Sequence, residues 1–189
     1  MAIFILSSMF LLFQLQLSES YEHTQGDALI ALKNSLRDPM GALESWQPSN
    51  PNDPFSTPAY YPCGERDGIS WFHITCDGDS VMRIDLGNYS LSGQLPGDLQ
   101  YLPKLQYLSL YENNIRGEIP PELGELTNLI SLQLSDNNLS GSIPSTLSKC
   151  TKLRFVMLQN NRLNGTIAPS LAMFNAVQRF VGQLSKSDG

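Results

Sequence analysis

Apolar residues recur along the middle of the chain at a fixed interval of 24 residues, with polar residues between them. The apolar columns are Leu86, Leu110, Leu134 and Leu158; Leu91, Ile115, Leu139 and Leu163; and Leu99, Leu123, Leu147 and Leu171. Asparagines and glycines keep the same spacing, at 113, 137 and 161 and at 93, 117, 141 and 165. A strict period of this length indicates stacked copies of one unit, none of which can bury its apolar face alone.

The clearest copy runs from Leu105 to Pro120 and fits the leucine-rich repeat pattern L-x-x-L-x-L-x-x-N-x-L. Leu108 and Leu110 lie two residues apart, which predicts a short strand with both side chains inward. Successive strands should then pair as a parallel sheet on the concave side. We therefore predict an α/β solenoid, a short leucine-rich repeat horseshoe with four repeats over residues 79–176 and an incomplete fifth at 177–189.

Asparagine occupies the position where the chain leaves each strand and turns. An inward amide can donate to and accept from the backbone groups that such a turn leaves unpaired. Stacking the repeats therefore predicts a structural ladder of Asn113, Asn137 and Asn161. The glycine four residues further along suits a tight bend in which a Cβ would clash.

The segment before the repeats is predicted to be a helical N-terminal cap, residues 21–78. Thr24 and Asp27 have the spacing of a capping box, and an apolar helical face follows at Leu29, Leu32 and Leu36. Asp38-Pro39 should end that helix. Residues 48–70 are rich in Pro, Ser, Asn and Gly and indicate an irregular loop.

The first 20 residues are typical of a signal peptide. Ile3 to Phe13 is an apolar run too short to span a bilayer, and the small residues Ser18 and Ser20 fit cleavage before Tyr21. The alternative is a buried N-terminal helix. If cleavage occurs, we expect a soluble, secreted protein without membrane insertion of the mature chain.

Charge excludes some partners. Lys and Arg total 12 against 18 Asp and Glu, a net charge of -6, so binding to nucleic acid or to an anionic membrane is not expected. Two histidines and three cysteines leave little material for a multi-ligand metal site, and we predict neither a metal nor a cofactor.

Secretion decides how the cysteines are interpreted. In an oxidising compartment Cys63 and Cys76 can form a disulfide. Cys150 occupies a position that other repeats fill with Leu102, Leu126 and Phe174, so we interpret it as a buried thiol.

The repeat with Leu-x-Gly-x-Ile-Pro resembles the plant-specific class of leucine-rich repeats. Further motifs, Trp71–Cys76, Arg83–Asn88, Leu105–Leu108 and Lys152–Phe155, are similar to ectodomains of the somatic embryogenesis receptor-like kinases and their small secreted relatives. The resemblance implies a co-receptor type of protein that binds ligand-loaded receptor kinases. In that family the first cap cysteine lies two residues before the tryptophan, whereas Cys63 lies eight before Trp71, so residues 55–70 look inserted.

The same resemblance places partner contacts on the cap and on the inner face of the sheet. It implies that Phe72 and His73 bind the partner, together with inner-face residues Tyr107 and Tyr111 and, in part, Arg154 and Phe155. The alternative for the tyrosines is a role as solvated strand residues. The outward strand positions also include Ser109, Ser131 and Ser135.

Three sequons could carry N-linked glycans, at Asn88, Asn138 and Asn164. Asn138 and Asn164 fall after the predicted inner strands, so glycans there would leave the inner sheet open.

We therefore predict an extracellular recognition module that binds a receptor ectodomain or a peptide–receptor complex in plant signalling or defence. One alternative is a secreted inhibitor of a cell-wall enzyme, although such relatives have about twice as many repeats. Another is a truncated receptor-kinase isoform without an independent function. Catalysis is not expected, because no base is placed beside a Ser or Cys nucleophile.

Overall fold

The computed structural model describes residues 24–47, 62–63 and 71–164. The predicted leader, most of the predicted loop at 48–70 and the predicted fifth repeat lie outside these residues. Helix α1 spans Gln25–Ser35, and ten strands follow it in the described parts of the chain. The strands are β1 (Leu36–Arg37), β2 (Ile74–Asp77), β3 (Ser80–Asp85), β4 (Ser92–Gly93), β5 (Tyr107–Ser109), β6 (Asn114–Glu118), β7 (Ser131–Gln133), β8 (Asn138–Gly141), β9 (Phe155–Met157) and β10 (Arg162–Leu163).

Helix α1 begins as the sequence predicts and ends earlier. The Thr24 hydroxyl accepts a hydrogen bond from the Asp27 N–H, and the Asp27 carboxylate accepts one from the Thr24 N–H, which completes the capping box. The helix stops at Ser35 rather than at Asp38-Pro39, because the next two residues pair with β4 as strand β1. The Asp38 carboxylate instead accepts from the backbone N–H groups of the following turn.

The inner sheet confirms the predicted parallel concave sheet. Its strand order is β2-β3-β5-β7-β9, with β2 antiparallel to β3 and the other pairs parallel. Its parallel pairs join residues 24 apart, so that Arg83 pairs with Tyr107 and Ser131 with Phe155. Equivalent side chains of successive repeats therefore stand side by side.

A second sheet, which the sequence did not predict, flanks the first in the order β1-β4-β6-β8-β10. Its parallel pairs join residues 22 apart, such as Ser92 with Asn114 and Arg116 with Asn138. Three short 3-10 helices complete the described repeats, at Gly97–Tyr101, Pro121–Glu125 and Ser145–Lys149. Each follows a proline whose missing N–H costs no ladder bond.

The periodic leucines form one continuous core with the cap. Leu86, Leu110 and Leu134 are fully buried, and Leu29 and Trp46 join them to the underside of the cap. Burying one leucine side chain stabilises the fold by about 1.5–3 kcal/mol, so neighbouring repeats stabilise one another through this stack.

The asparagines satisfy the backbone between the two sheets. Asn137 Oδ1 accepts from the Ile115 N–H at 2.9 Å, and its Nδ2 donates to the Leu110 carbonyl at 2.8 Å. Asn113 and Asn161 make the equivalent bonds one repeat earlier and one later. Each side chain thus connects its own repeat to the preceding one.

A left-handed residue precedes the asparagine position in each described repeat. The backbone φ is 62° at Asn88, 52° at Glu112, 57° at Asp136 and 56° at Asn160. Asn and Asp tolerate this conformation better than other residues with a Cβ, so Glu112 is the least suited of the four.

Candidate functional site

The exposed side of the inner sheet offers one row of side chains from each strand. Ile84, Leu108 and Leu132 are buried in the core, so their immediate neighbours project from the opposite side. The register aligns these neighbours across the strands into a row. The row consists of Arg83, Tyr107, Ser131 and Phe155.

Tyr107 is held in place by Arg83. The guanidinium carbon lies 3.9 Å from the centroid of the Tyr107 ring, and the same group lies 3.8 Å from the Asp85 carboxylate. A cation–π contact at a partly exposed site is worth about 0.5–1 kcal/mol and limits the motion of the ring. The sequence places Arg83 and Tyr107 exactly one repeat apart, and that spacing is the signal for this contact.

Tyr111 lies over Gly87 and is 37% exposed. A Cβ at residue 87 would collide with the Tyr111 ring, so the absence of a side chain there lets the ring rest on the backbone. The ring therefore presents one face to solvent from a supported position.

The serines of the inner face are buried, contrary to the expectation that they are outward and open. Ser109, Ser131 and Ser135 are covered because the longer side chains beside them lean over these short ones. Gln133 links two of them, since its Nε2 donates to Ser131 Oγ at 3.2 Å and its Oε1 accepts from Ser109 Oγ at 3.5 Å. The serines form the floor between the aromatic residues.

Phe72 lies in the turn before β2 and is 64% exposed. Its backbone is held on both sides by the cap: its N–H donates to Ser45 Oγ at 2.9 Å, and its carbonyl accepts from Trp46 Nε1 at 2.8 Å. An apolar ring is therefore presented to solvent by a fixed backbone.

His73 follows with a left-handed backbone, φ 67°, and is half-buried. Its ring packs against Tyr89 with centroids 4.6 Å apart, and its Nδ1 lies 3.3 Å from the Tyr89 hydroxyl. The His73 carbonyl accepts from the Asp85 N–H at 2.9 Å, which extends the inner sheet beyond β2. One edge of the imidazole is thus used by the protein itself.

Arg154 and Phe155 lie at the start of β9, across the sheet from the cap. The Arg154 side chain is exposed, and its N–H donates to the Ile130 carbonyl at 2.8 Å. Phe155 is 49% exposed. The structure therefore brings Tyr107, Tyr111 and Phe155 onto one face and puts Phe72 and His73 at its cap edge.

The predicted disulfide between Cys63 and Cys76 is present, with Cα atoms 5.7 Å apart. It ties the short segment 62–63 to β2, and the Trp71 N–H donates to the Pro62 carbonyl beside it. Trp46 and Trp71 stack with ring centroids 5.9 Å apart. These contacts stiffen the cap edge that carries Phe72.

The three sequon asparagines differ in setting. Asn88 is exposed in the turn after β3, Asn138 is half-buried within β8, and Asn164 is exposed after β10. Glycosylation at all three stays a prediction.

Cys150 is buried, and its Sγ lies 3.4 Å from the Leu123 carbonyl. Burial, helped by the Glu125 carboxylate, raises the pKa of this thiol to about 11. Within residues 24–47, 62–63 and 71–164, no three His, Cys, Asp or Glu side chains are grouped as a metal site would require. The helices of this described part are also too short or too polar to cross a bilayer.

Known proteins match both parts of the chain. The family described as "Leucine rich repeat N-terminal domain" matches residues 22–54 and 57–77, and "Leucine Rich repeats (2 copies)" matches residues 103–144. Leucine-rich repeat protein 1 of Oryza sativa subsp. indica is 51% identical over 91 residues, which cover 48% of this chain and 36% of that relative. The chain therefore aligns with about a third of the curated relative.

Solved structures match over more of the chain. The BIR2 ectodomain of Arabidopsis thaliana is 35% identical with a TM-score of 0.67, covering 84% of this chain and 77% of that one. A chain of the Arabidopsis thaliana BIR3–SERK2 complex is 32% identical with a TM-score of 0.66, covering 80% and 77%. An N-terminal leucine-rich repeat domain and ectodomain-like neighbours indicate an extracellular protein-interaction module. The chain belongs to the plant leucine-rich repeat proteins, with the fold of their receptor ectodomains.

Proposed function

We propose that this protein is a secreted recognition module of the plant apoplast that binds a receptor-kinase ectodomain, alone or loaded with a peptide, through the inner sheet. The observation that carries the proposal is the alignment of Tyr107, Tyr111 and Phe155 on one face of a hydrogen-bonded sheet. The predicted signal peptide, cleaved before Tyr21, would deliver the chain to the partner.

The aromatic residues suit a protein partner because their rings are already fixed. Tyr107 is held by Arg83 and Tyr111 rests on Gly87, so little side-chain entropy remains to be lost on binding. Aromatic and Arg side chains contribute most strongly to protein interfaces when they are packed in this way. The floor of buried serines between them leaves a shallow depression that a partner side chain can fill.

The cap edge widens the proposed surface. Four strand spacings separate β2 from β9, which is about 19 Å, so Phe72 and Phe155 mark opposite ends of one interface. A standard interface extends over 20–30 residues on each side, and this face is wide enough to contribute a large share of one.

The comparisons support a protein partner in one respect: a chain of the same fold occurs in the BIR3–SERK2 complex. The fold class alone does not select the receptor, since one fold serves many partners. The partner of this chain must therefore be found experimentally.

The proposal is tested by presenting the secreted protein to a panel of plant receptor-kinase ectodomains, with and without their peptide ligands. Tyr111→Ala and Phe155→Ala should each weaken the binding detected by about thirtyfold, because truncating a central aromatic residue costs about 2 kcal/mol or more.

Tyr101→Ala is a matched control. Tyr101 is 36% exposed, close to the value for Tyr111, but lies on a 3-10 helix away from the inner sheet. Equal losses for Tyr101→Ala and Tyr111→Ala, or full binding by both inner-face variants, would remove the inner sheet from the proposal. Capture of a cell-wall enzyme instead of a receptor would replace the partner class.

A further inference from the structure

A polar groove of about 590 Å³ lies against the second sheet, on a different surface from the inner face. Its walls are formed by the end of α1 with β1 and by the start of three strands of that sheet. We call it the outer groove, and its lining residues are 34–37, 92–93, Asn114, Arg116 and Asn138. Its volume falls within the range of small-ligand sites.

The side chains that chemistry would use here are not used by the protein. Arg37 and Arg116 form no ion pair with any other described residue, and the side-chain amides of Asn34, Asn114 and Asn138 form no hydrogen bond with one. Two guanidinium groups and three amides therefore face the same space with their donors unpaired.

Charge in the groove is opposite to that of the whole molecule. The chain carries a net charge of -6, yet no carboxylate lines the groove. The Asp38 carboxylate, next to Arg37, accepts from the N–H groups of Ala42 and Leu43. Glu118 lies two residues beyond Arg116 on β6 but outside the lining. An anion is therefore attracted to this place and repelled by much of the remaining surface.

The spacing of the two arginines favours an extended ligand over a single small anion. Arg37 pairs with Ser92, which pairs with Asn114, two residues before Arg116. Two strand spacings across and two residues along put the Cα atoms of the arginines about 12 Å apart. The three asparagine amides lie along the same path, and each offers both donors and an acceptor.

A peptide fits this groove less well. Leu36 is buried in the core, so the groove has no apolar pocket for a side chain. Strand β1, at the edge of the sheet, has only two residues and is too short to pair with an added strand. Guanidinium groups for carboxylates and amides for hydroxyl groups match an acidic sugar chain.

We propose that the outer groove binds an anionic oligosaccharide, with Arg37 and Arg116 on its carboxylates and the asparagine amides on its hydroxyl groups. The sequon at Asn138 bears on the same groove, because a glycan at that residue would compete for the space. The inference is independent of the partner proposed for the inner face.

The test uses the full chain made with its disulfide in a host that adds no N-linked glycans. Titration calorimetry with a tetramer of galacturonic acid should show binding that weakens about tenfold or more in Arg116→Gln and in Arg37→Gln. Asn114→Ala should also weaken it. The neutral galactose tetramer should not bind measurably.

Arg162→Gln is the matched control, because Arg162 lies on β10 of the same sheet but does not line the groove. Its affinity for the acidic tetramer should equal that of the unchanged protein. Equal weakening by all three arginine variants, no binding of the acidic tetramer, or complete displacement of it by sulfate at matched ionic strength would each overturn the proposal. The last two outcomes would mean no site, or a site for any anion.

Discussion

Asn137→Ala should destabilise the protein by about 2–4 kcal/mol, a value that follows from what each bond partner retains. The Ile115 N–H is buried and has Asn137 Oδ1 as its acceptor, so its loss leaves an unpaired donor at a cost of about 1–3 kcal/mol. The Leu110 carbonyl keeps a bond from Asn113 Nδ2 at 3.0 Å, so there only one net hydrogen bond of about 0.5–1.5 kcal/mol is lost.

Asn128→Ala is the matched control. Asn128 also donates to a backbone carbonyl, that of Pro103 at 2.7 Å, and accepts from Lys152 Nζ at 2.7 Å. Both bonds lie at exposed atoms, where water replaces the lost partner. We expect its cost to stay below about 1 kcal/mol.

The assay is urea unfolding followed by two probes. Trp46 and Trp71 are the only tryptophans in the sequence and both lie in the cap, so fluorescence reports the cap while circular dichroism reports the whole chain. Coincident transitions justify a two-state fit, from which the free energy of unfolding follows. A cost for Asn137→Ala no larger than that for Asn128→Ala would refute the reasoning from unpaired backbone groups.

Three further predictions concern single residues. Breaking the Cys63–Cys76 disulfide, which joins residues 13 apart, should lower stability by roughly 3 kcal/mol, and an unchanged thermal midpoint in reductant would contradict this. Cys150, with its pKa raised from 9.0 to about 11, should resist iodoacetamide at pH 8 until the chain is unfolded. Because the unfolded thiol ionises near 9.0 and the folded one near 11, stability should fall as pH rises between these values, and Cys150→Ala should lack that component. Glu112→Asn should raise the unfolding free energy by up to about 1 kcal/mol, since Asn tolerates the φ of 52° better, and a lower denaturation midpoint would exclude a strain at this position.

The period of 24 predicted the inner sheet and its core because every repeat must bury the same apolar columns. Leu110 and its equivalents are buried as the pattern requires, and Thr24 with Asp27 marks the start of the cap helix correctly. These features are set by local sequence or by strict repetition, so a single sequence reveals them.

The second sheet has no comparable signal. Its strands have two to five residues, and β1 and β4 consist of Leu36–Arg37 and Ser92–Gly93, which carry no alternation to recognise. The burial of Ser131 depends on the length of side chains on the neighbouring strands. The grouping of Arg37 with Arg116 depends on how the cap docks against the repeats, and nothing in either local sequence encodes that contact.

The two sheets step unequally from one repeat to the next, by 24 residues on the inner side and 22 on the flank. Identical coils stacked with unequal steps cannot form a straight column, so each coil is rotated slightly against the one before it. A longer array with this geometry would wind like a spiral ramp. A partner that touches both Phe72 and Phe155 must therefore be curved to follow that winding, and a flat surface would meet only one of the two ends.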